Sequence, residues 1–307
     1  MNIEPKIRKI ACLGEVMIEL SSRQDGLANI GVAGDTYNTA VYLRRLLSGS
    51  DVTVSYVTAL GTDRYSEKIR DAIRSYGLET ECIERRDGGM PGLYAIDTDE
   101  NGERSFSYWR SASAARTMFS EPCEIGLDRL RDYDLLFLSG ISLAILPASV
   151  RERLIDWCDG YQAAGGLVAY DSNHRPKLWE NQEVAQGTNA EMWRRADIAL
   201  PSIDDEMVLF GDRDEETTVA RLVGYGIKRG ALKRGSAGPR DLSGQVVGEL
   251  PLAKEIVDST AAGDSFNAGY LAALVEGQDS ISAIRAGHKL AMKVIAHRGA
   301  IIPGTGP

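Results

Sequence analysis

Apolar residues recur along this chain with two periods, and the switches between them mark its elements. Ile7 to Val16 is a β-rich apolar run ending in Gly14-Glu15, and Ile18-Glu19-Leu20-Ser21 alternates after a bend, which predicts two successive strands. A polar loop, 22–29, follows. Behind Gly34 to Asn38, the residues Ala40, Val41, Leu43, Leu46 and Leu47 repeat at helical spacing. Val52 to Leu60 is apolar enough for a buried strand. Ser66 to Tyr76 is patterned as a helix, with Gly77 as its stop.

Residues 85–112 differ in character. Gly92 to Thr98 and Arg104 to Arg110 alternate as strands on either side of a hairpin turn signal, Asp99-Glu100-Asn101-Gly102. Strands without a helix, inside an otherwise mixed chain, predict a small β-sheet set apart, to which Glu15–Gly34 could add. From residue 124 strand and helix alternate: Leu135–Ser139 (strand), Ser149–Ala164 (helix), Leu167–Asp171 (strand), Val184–Arg195 (helix) and Ile198–Leu200 (strand). Helices follow over Asp204–Phe210, Glu215–Tyr225 and most of 264–298. Leu250-Pro251 and Glu255–Val257 have the pattern of a strand approach to the last of these. This rhythm predicts an α/β fold, a mostly parallel sheet covered on both faces by helices, with ligands bound beyond the carboxyl ends of its strands. The expected division is a core of 1–14, 35–84 and 113–307 and a discontinuous β lid of 15–34 and 85–112.

Composition narrows the function. The chain has 307 residues, 43% hydrophobic and 26% charged, with a net charge of -9 and a pI near 5.1. Such a surface disfavours nucleic-acid and anionic-membrane partners, so an anionic ligand must be met by local cations. Cys12, Cys82, Cys123 and Cys158 are scattered, as expected of reduced thiols in a cytoplasmic protein. Met1 to Pro5 lacks the apolar segment of a signal peptide, and Leu135 to Leu146 is too short to span a membrane. The dipeptide Gly-Lys does not occur, which excludes a Walker A loop, and no G-x-G-x-x-G follows the first strand.

Phosphate handling then falls to another helix N-terminus. The best candidate is Asp258-Ser259-Thr260-Ala261-Ala262-Gly263-Asp264-Ser265-Phe266, where small residues precede a helix beginning near Gly263. The first amides of a helix lack internal partners and attract anions; Asp264 either faces that anion or merely caps the helix. Gly34, Asp35 and Asn38 form a second motif, suited to vicinal hydroxyls or equally to a capped glycine turn. Arg104, Phe106, Tyr108 and Arg110 share one strand face. With Tyr94 they either overhang a substrate, Arg110 forking onto a carboxylate, or form a solvated edge. Asp171, Asn173 and Arg175 cluster at a strand end, and Lys233 to Gly238 form a basic glycine turn, for which a purely structural role is the alternative in each case.

The 258–266 string resembles the catalytic signature of the ribokinase-like (PfkB-type) carbohydrate kinases, Asp-Thr-any-Gly-Ala-Gly-Asp, with Ser259 and Ala261 as the departures. Within that family the chain is most similar, nearly end to end, to the kinases of 2-dehydro-3-deoxygluconate (KDG). The matching stretches include Gly14–Leu20, Tyr56–Asp63, Tyr108-Trp109-Arg110, Leu138–Leu146 and Arg298–Pro303. The resemblance implies a three-layer α/β/α core with a small β-sheet lid, and ATP-dependent phosphorylation of the terminal hydroxyl of KDG. Asp264 would be the base, with the amides of Ala261, Ala262 and Gly263 beside it. Gly34, Asp35, Asn38, Tyr94, Tyr108, Arg110 and Arg175 would take the sugar. Asn173, Lys233, Gly235, Gly238, Ala261, Gly263 and His288 would take ATP, and Asp205 or Glu206 would hold Mg2+ through water. A homo-oligomer formed through the lid is expected. The alternatives are a fructokinase- or ribokinase-like activity, or a catalytically silent sugar sensor.

Overall fold

The structure is a computed structural model and describes residues 6–23, 25–98 and 104–303. The chain opens with β1 (Lys9–Leu13), then leaves it for β2 (Met17–Ser22) and β3 (Ala28–Ala33), and returns through α1 (Asp35–Leu46) to β4 (Thr53–Leu60). Next come α2 (Arg64–Ser75), a short β5 (Ile83–Arg85), and a second excursion, β6 (Leu93–Thr98) and β7 (Arg104–Trp109). Strand and helix then alternate through β8 (Leu135–Ser139), α3 (Gly140–Ala144), α4 (Ala148–Ala163), β9 (Leu167–Asp171), α5 (Gln182–Arg195) and β10 (Ile198–Ala199). The chain finishes with α6 (Ile203–Phe210), α7 (Glu215–Gly224), β11 (Ala231–Leu232), β12 (Arg240–Asp241), α8 (Ala262–Val275) and α9 (Ser280–Ile295).

The main sheet has six strands in the order β10-β9-β8-β1-β4-β5, and each recorded pairing in it is parallel. Both faces are covered, so its strands are apolar on both sides. Alternate residues enter different cores: Ile10 and Cys12 of β1, with Leu135 and Phe137 of β8, pack under α1, α8 and α9. Ala11, Leu13, Leu136 and Leu138 pack under α4 and α5 on the other face. Helix α8 is buried on every side from Ser265 to Ala273, as befits a helix lodged between α1 and α9. This rigid seat fixes the position of its N-terminus.

The two excursions join in one four-stranded sheet, order β3-β2-β6-β7, as the alternation predicted. The hairpin signal at Asp99–Gly102, the start of the chain and the side chain of Arg104 lie outside the described residues. One expected strand does not form. Pro251 has no N–H to give, Leu252 and Ile256 stay exposed, and the amides of Val257 and Asp258 bond instead to the carbonyl of Ile295 at 2.8 and 3.1 Å. Leu252, Ile256 and Val257 are all exposed, so the stretch buries no apolar face.

Candidate active site

A cavity of about 1080 Å³ opens at the carboxyl ends of β1, β8 and β9. The small sheet roofs it with Met17, Tyr94, Phe106, Tyr108 and Arg110, and the N-terminus of α8 forms its floor. Gly34, Asp35, Asn38, Asn173, Arg175, Lys233, Ala261, Ala262, Gly263 and Asp264 also line it. At Gly34 a Cβ would come within 2.3 Å of the Glu15 carbonyl oxygen, so only glycine lets the chain pass there.

Ala261 caps α8 in the left-handed region, φ 61°, and no side chain caps the helix. The amide of Ala262 turns back to the carbonyl of Ser259 at 3.1 Å. This corrects the expectation that it faces a ligand; Gly263, in the first turn, lines the cavity. Asp258 has a structural role: its carboxylate accepts from the amides of Thr260 and Gly299 at 3.0 and 2.6 Å and holds the loop.

Asp264 Oδ2 accepts from Asn38 Nδ2 at 2.8 Å, so two motifs far apart in sequence meet at the proposed base. Burial is the main cause that lifts the Asp264 carboxyl from 3.8 to about 7, with the negative charges of Asp35 and Asp171 adding to it; the Asn38 hydrogen bond and Lys233 oppose the rise. A carboxylate poised there can take a proton near neutral pH. Asp35 accepts from Ser139 Oγ at 2.5 Å and from Asn173 Nδ2 at 2.8 Å. Asn173, expected on the phosphate, is thus committed to Asp35 in this state.

The cations of the cavity are mostly paired. Arg110 donates through Nε and Nη2 to Glu15 Oε2, so the carboxylate it forks onto here is internal. Arg175 is 3.4 Å from Asp205. Lys233 Nζ lies 2.5 Å from Asp171 Oδ2 and 3.1 Å from Asn267 Oδ1, and Asn267 also donates to Asp171 at 2.7 Å. Arg116 lines the cavity too, without an ion pair among the described residues. Tyr108 stacks on Tyr94 at 5.7 Å, and the Tyr94 hydroxyl is tied to Glu19.

Of the two acids proposed near the metal, Asp205 lines the cavity while Glu206 is fully buried behind it, 2.9 Å from Arg221, its carboxyl raised by burial to about 7. Glu206 therefore cannot reach a ligand in the cavity. His288 and Gly238 lie elsewhere, in a second cavity of about 580 Å³ with Val246, Leu250 and Leu252. Gly235 opens the turn between the two at φ 53°. The Pro239-Arg240-Asp241 departure is absorbed: Arg240 and Asp241 form β12, antiparallel to β11. Glu15, Arg116 and Asn267 were missed. A charge inside an apolar run marks Glu15, and Asn267 follows Asp264 by three residues, one turn along the same helix face.

Residues 7–305 match the profile of the pfkB family carbohydrate kinases. The chain is 41% identical to the 2-dehydro-3-deoxygluconokinase of Escherichia coli over 302 residues, 96% of this chain and 97% of that protein. It is 40% identical to the Haemophilus influenzae protein of the same name over 304 residues, 96% of each. Among solved structures it resembles aminoimidazole riboside kinase from Salmonella enterica complexed with aminoimidazole riboside and an ATP analog, with a TM-score of 0.80 at 21% identity over 96% of this chain and 95% of that one. With the signature, the fold and a profile match from end to end in agreement, this chain belongs to the pfkB family of carbohydrate kinases.

Proposed function

We propose that this protein is an ATP-dependent sugar-acid kinase that phosphorylates the terminal hydroxyl of KDG to give 6-phospho-KDG. The observation that carries the reading is Asp264, held by Asn38 at the uncapped N-terminus of α8 on the floor of the cavity that the small sheet roofs. Asp264 takes the proton of the primary hydroxyl as that oxygen attacks the γ-phosphorus of ATP. The helix-end amide of Gly263 and the Lys233 ammonium stabilise the charge on the transferring phosphoryl oxygens. Asp35 and Asn38 orient the sugar hydroxyls, and Tyr94 and Tyr108 cover its carbon chain.

The acid end of the substrate meets Arg110, Arg116 and Arg175. Each charge-assisted contact supplies about 1.5–3 kcal/mol, ten- to hundred-fold discrimination against an uncharged sugar. The nucleotide reaches from the Lys233-Arg234-Gly235 turn into the second cavity, whose apolar lining by Val246 and Leu252 suits a purine. Mg2+, when bound, would offset the charge of the ATP phosphates. Asp205 fits as its anchor through water, since a half-buried carboxylate at the cavity wall is what this ion takes alongside phosphate oxygens.

In this reading segments 15–34 and 85–112 act as a lid that excludes water from the transfer. Ile30 and Trp109 are exposed on the small sheet and Leu27 on the turn before β3, which supports homo-oligomer formation through it. The protein would work in the cytoplasm: its four cysteines are free, and no helix among the described residues is long and apolar enough to cross a membrane. A substrate panel of KDG, its C4 epimer, fructose and ribose, read by ADP release, tests the assignment. Turnover that favours the acids supports it; equal turnover of neutral sugars returns the fructokinase- or ribokinase-like alternative, and no turnover on any sugar returns the silent sensor.

A further inference from the structure

Glu15 sits where the chain passes from β1 to β2, the root of the small sheet, with its side chain 0% exposed. A carboxylate there is strongly disfavoured unless paired, and its cation is Arg110, just beyond the end of β7. Both Nε and Nη2 of Arg110 donate to the single oxygen Oε2, the first at 2.8 Å. The other oxygen, Oε1, is buried and has no partner among the described residues. The backbone is shaped around this pair. A Cβ at Gly92 would come within 2.6 Å of Glu15 Oε1 and 3.1 Å of Arg110 Cβ, so any larger residue would push the two apart.

We infer that Glu15 is a positioning residue for substrate selection: by gripping the Nε–Nη2 edge of Arg110 it presents the opposite edge of the guanidinium to the substrate's carboxylate. The inference rests on the sugar-acid kinase reading. Glu15 and Arg110 both line the cavity. Arginine carries many rotamers on a long stem, and freezing them before the ligand arrives removes that entropy loss from binding. One edge of the planar fork is held, and the other remains for a second carboxylate. Glu15 itself, fully enclosed, does not touch the acid group; it acts through Arg110.

The test measures KM and kcat for KDG and for its uncharged carboxamide in Glu15→Gln, in the wild-type and Arg110→Ala backgrounds, at saturating ATP. Glutamine keeps the shape but not the charge. The expected result is a rise of about tenfold (~1.4 kcal/mol) in KM for the acid, a smaller change in kcat, little change for the carboxamide, and no further change once Arg110 is absent. An equal rise for both compounds, the same rise without Arg110, or a fall in KM for the acid would each overturn the assignment. Arg110→Lys, which keeps the charge and loses the fork, provides a second reading should the Gln variant not fold; unchanged selectivity there also overturns it. A wild-type enzyme that does not prefer the acid over its carboxamide rejects the sugar-acid reading itself, before any substitution is made.

Discussion

Asp264→Asn separates the chemical role of this residue from its structural cost. The amide keeps an oxygen for the hydrogen bond from Asn38 Nδ2, now 2.8 Å from Oδ2, but cannot take a proton. Loss of a general base costs about 10²–10⁴ in rate, so kcat should fall by at least two orders of magnitude while KM for the sugar moves little. Stability should move the other way. Holding this carboxylate ionised with a pKa of about 7, where an ordinary one has 3.8, costs up to ~4 kcal/mol. Solvent reaching the cavity reduces that to ~1–2 kcal/mol. The sign follows from the raised value. Below about pH 3 the group is largely neutral folded or unfolded, and no penalty exists. Between about pH 3 and 7 the unfolded chain ionises first, so the wild type loses stability as pH rises, and above 7 the loss is constant. Thermal melts should therefore show the stability gain of the Asn variant over wild type largest at pH 8, shrinking as pH falls and vanishing toward about pH 3, with coupled ADP release giving the kinetics. Near-normal turnover, or a stability gain identical at both pH values, would refute the reasoning.

Wild-type kcat/KM should rise about tenfold per pH unit below pH 7 and level off above it, as Asp264 ionises; a flat profile from pH 5.5 to 8 would contradict the base assignment. Lys233→Met leaves the buried Asp171 without its cation, held only by neutral donors, the Asn267 side chain and the Asn173 amide. Melting should show a loss of about 3–5 kcal/mol, and the midpoint of the pH profile should move above that of wild type, because the Lys233 charge that lowers the Asp264 pKa is gone. Ala261→Gly relieves a left-handed alanine at φ 61°, which costs ~1–2 kcal/mol, against ~0.5–1 kcal/mol of extra chain entropy for glycine. A small rise in melting temperature is expected, and a clear fall would mean the Ala261 methyl contributes packing. Chelation by EDTA should abolish turnover, and added Mg2+ should restore it.

Much of the fold was legible because the strands of the main sheet are buried on both faces and most helices on one. Leu135–Ser139 and Leu167–Asp171 form as the apolar runs predict, since no other register would bury them. The 250–257 segment misled because isolated apolar pairs mimic a strand whether or not a sheet edge is available. At the site, most of the residue types singled out in the sequence line one cavity, while the contacts within it depend on three-dimensional pairing. Asn38 holds Asp264 across 226 positions, and Asn173 reaches Asp35 across 138. Glu206 and Asp205 are neighbours with the same chemistry; only helix phase puts one in the cavity and the other in the core.

The position of the transferred phosphate tests the central claim most directly. Incubated with ATP and KDG, the protein should release one equivalent of ADP per sugar acid, and phosphorus NMR of the product should show a monoester coupled to the two protons of the terminal carbon. ADP release that does not require KDG, or phosphate on any other oxygen, would contradict the placement of Asp264 against the terminal hydroxyl.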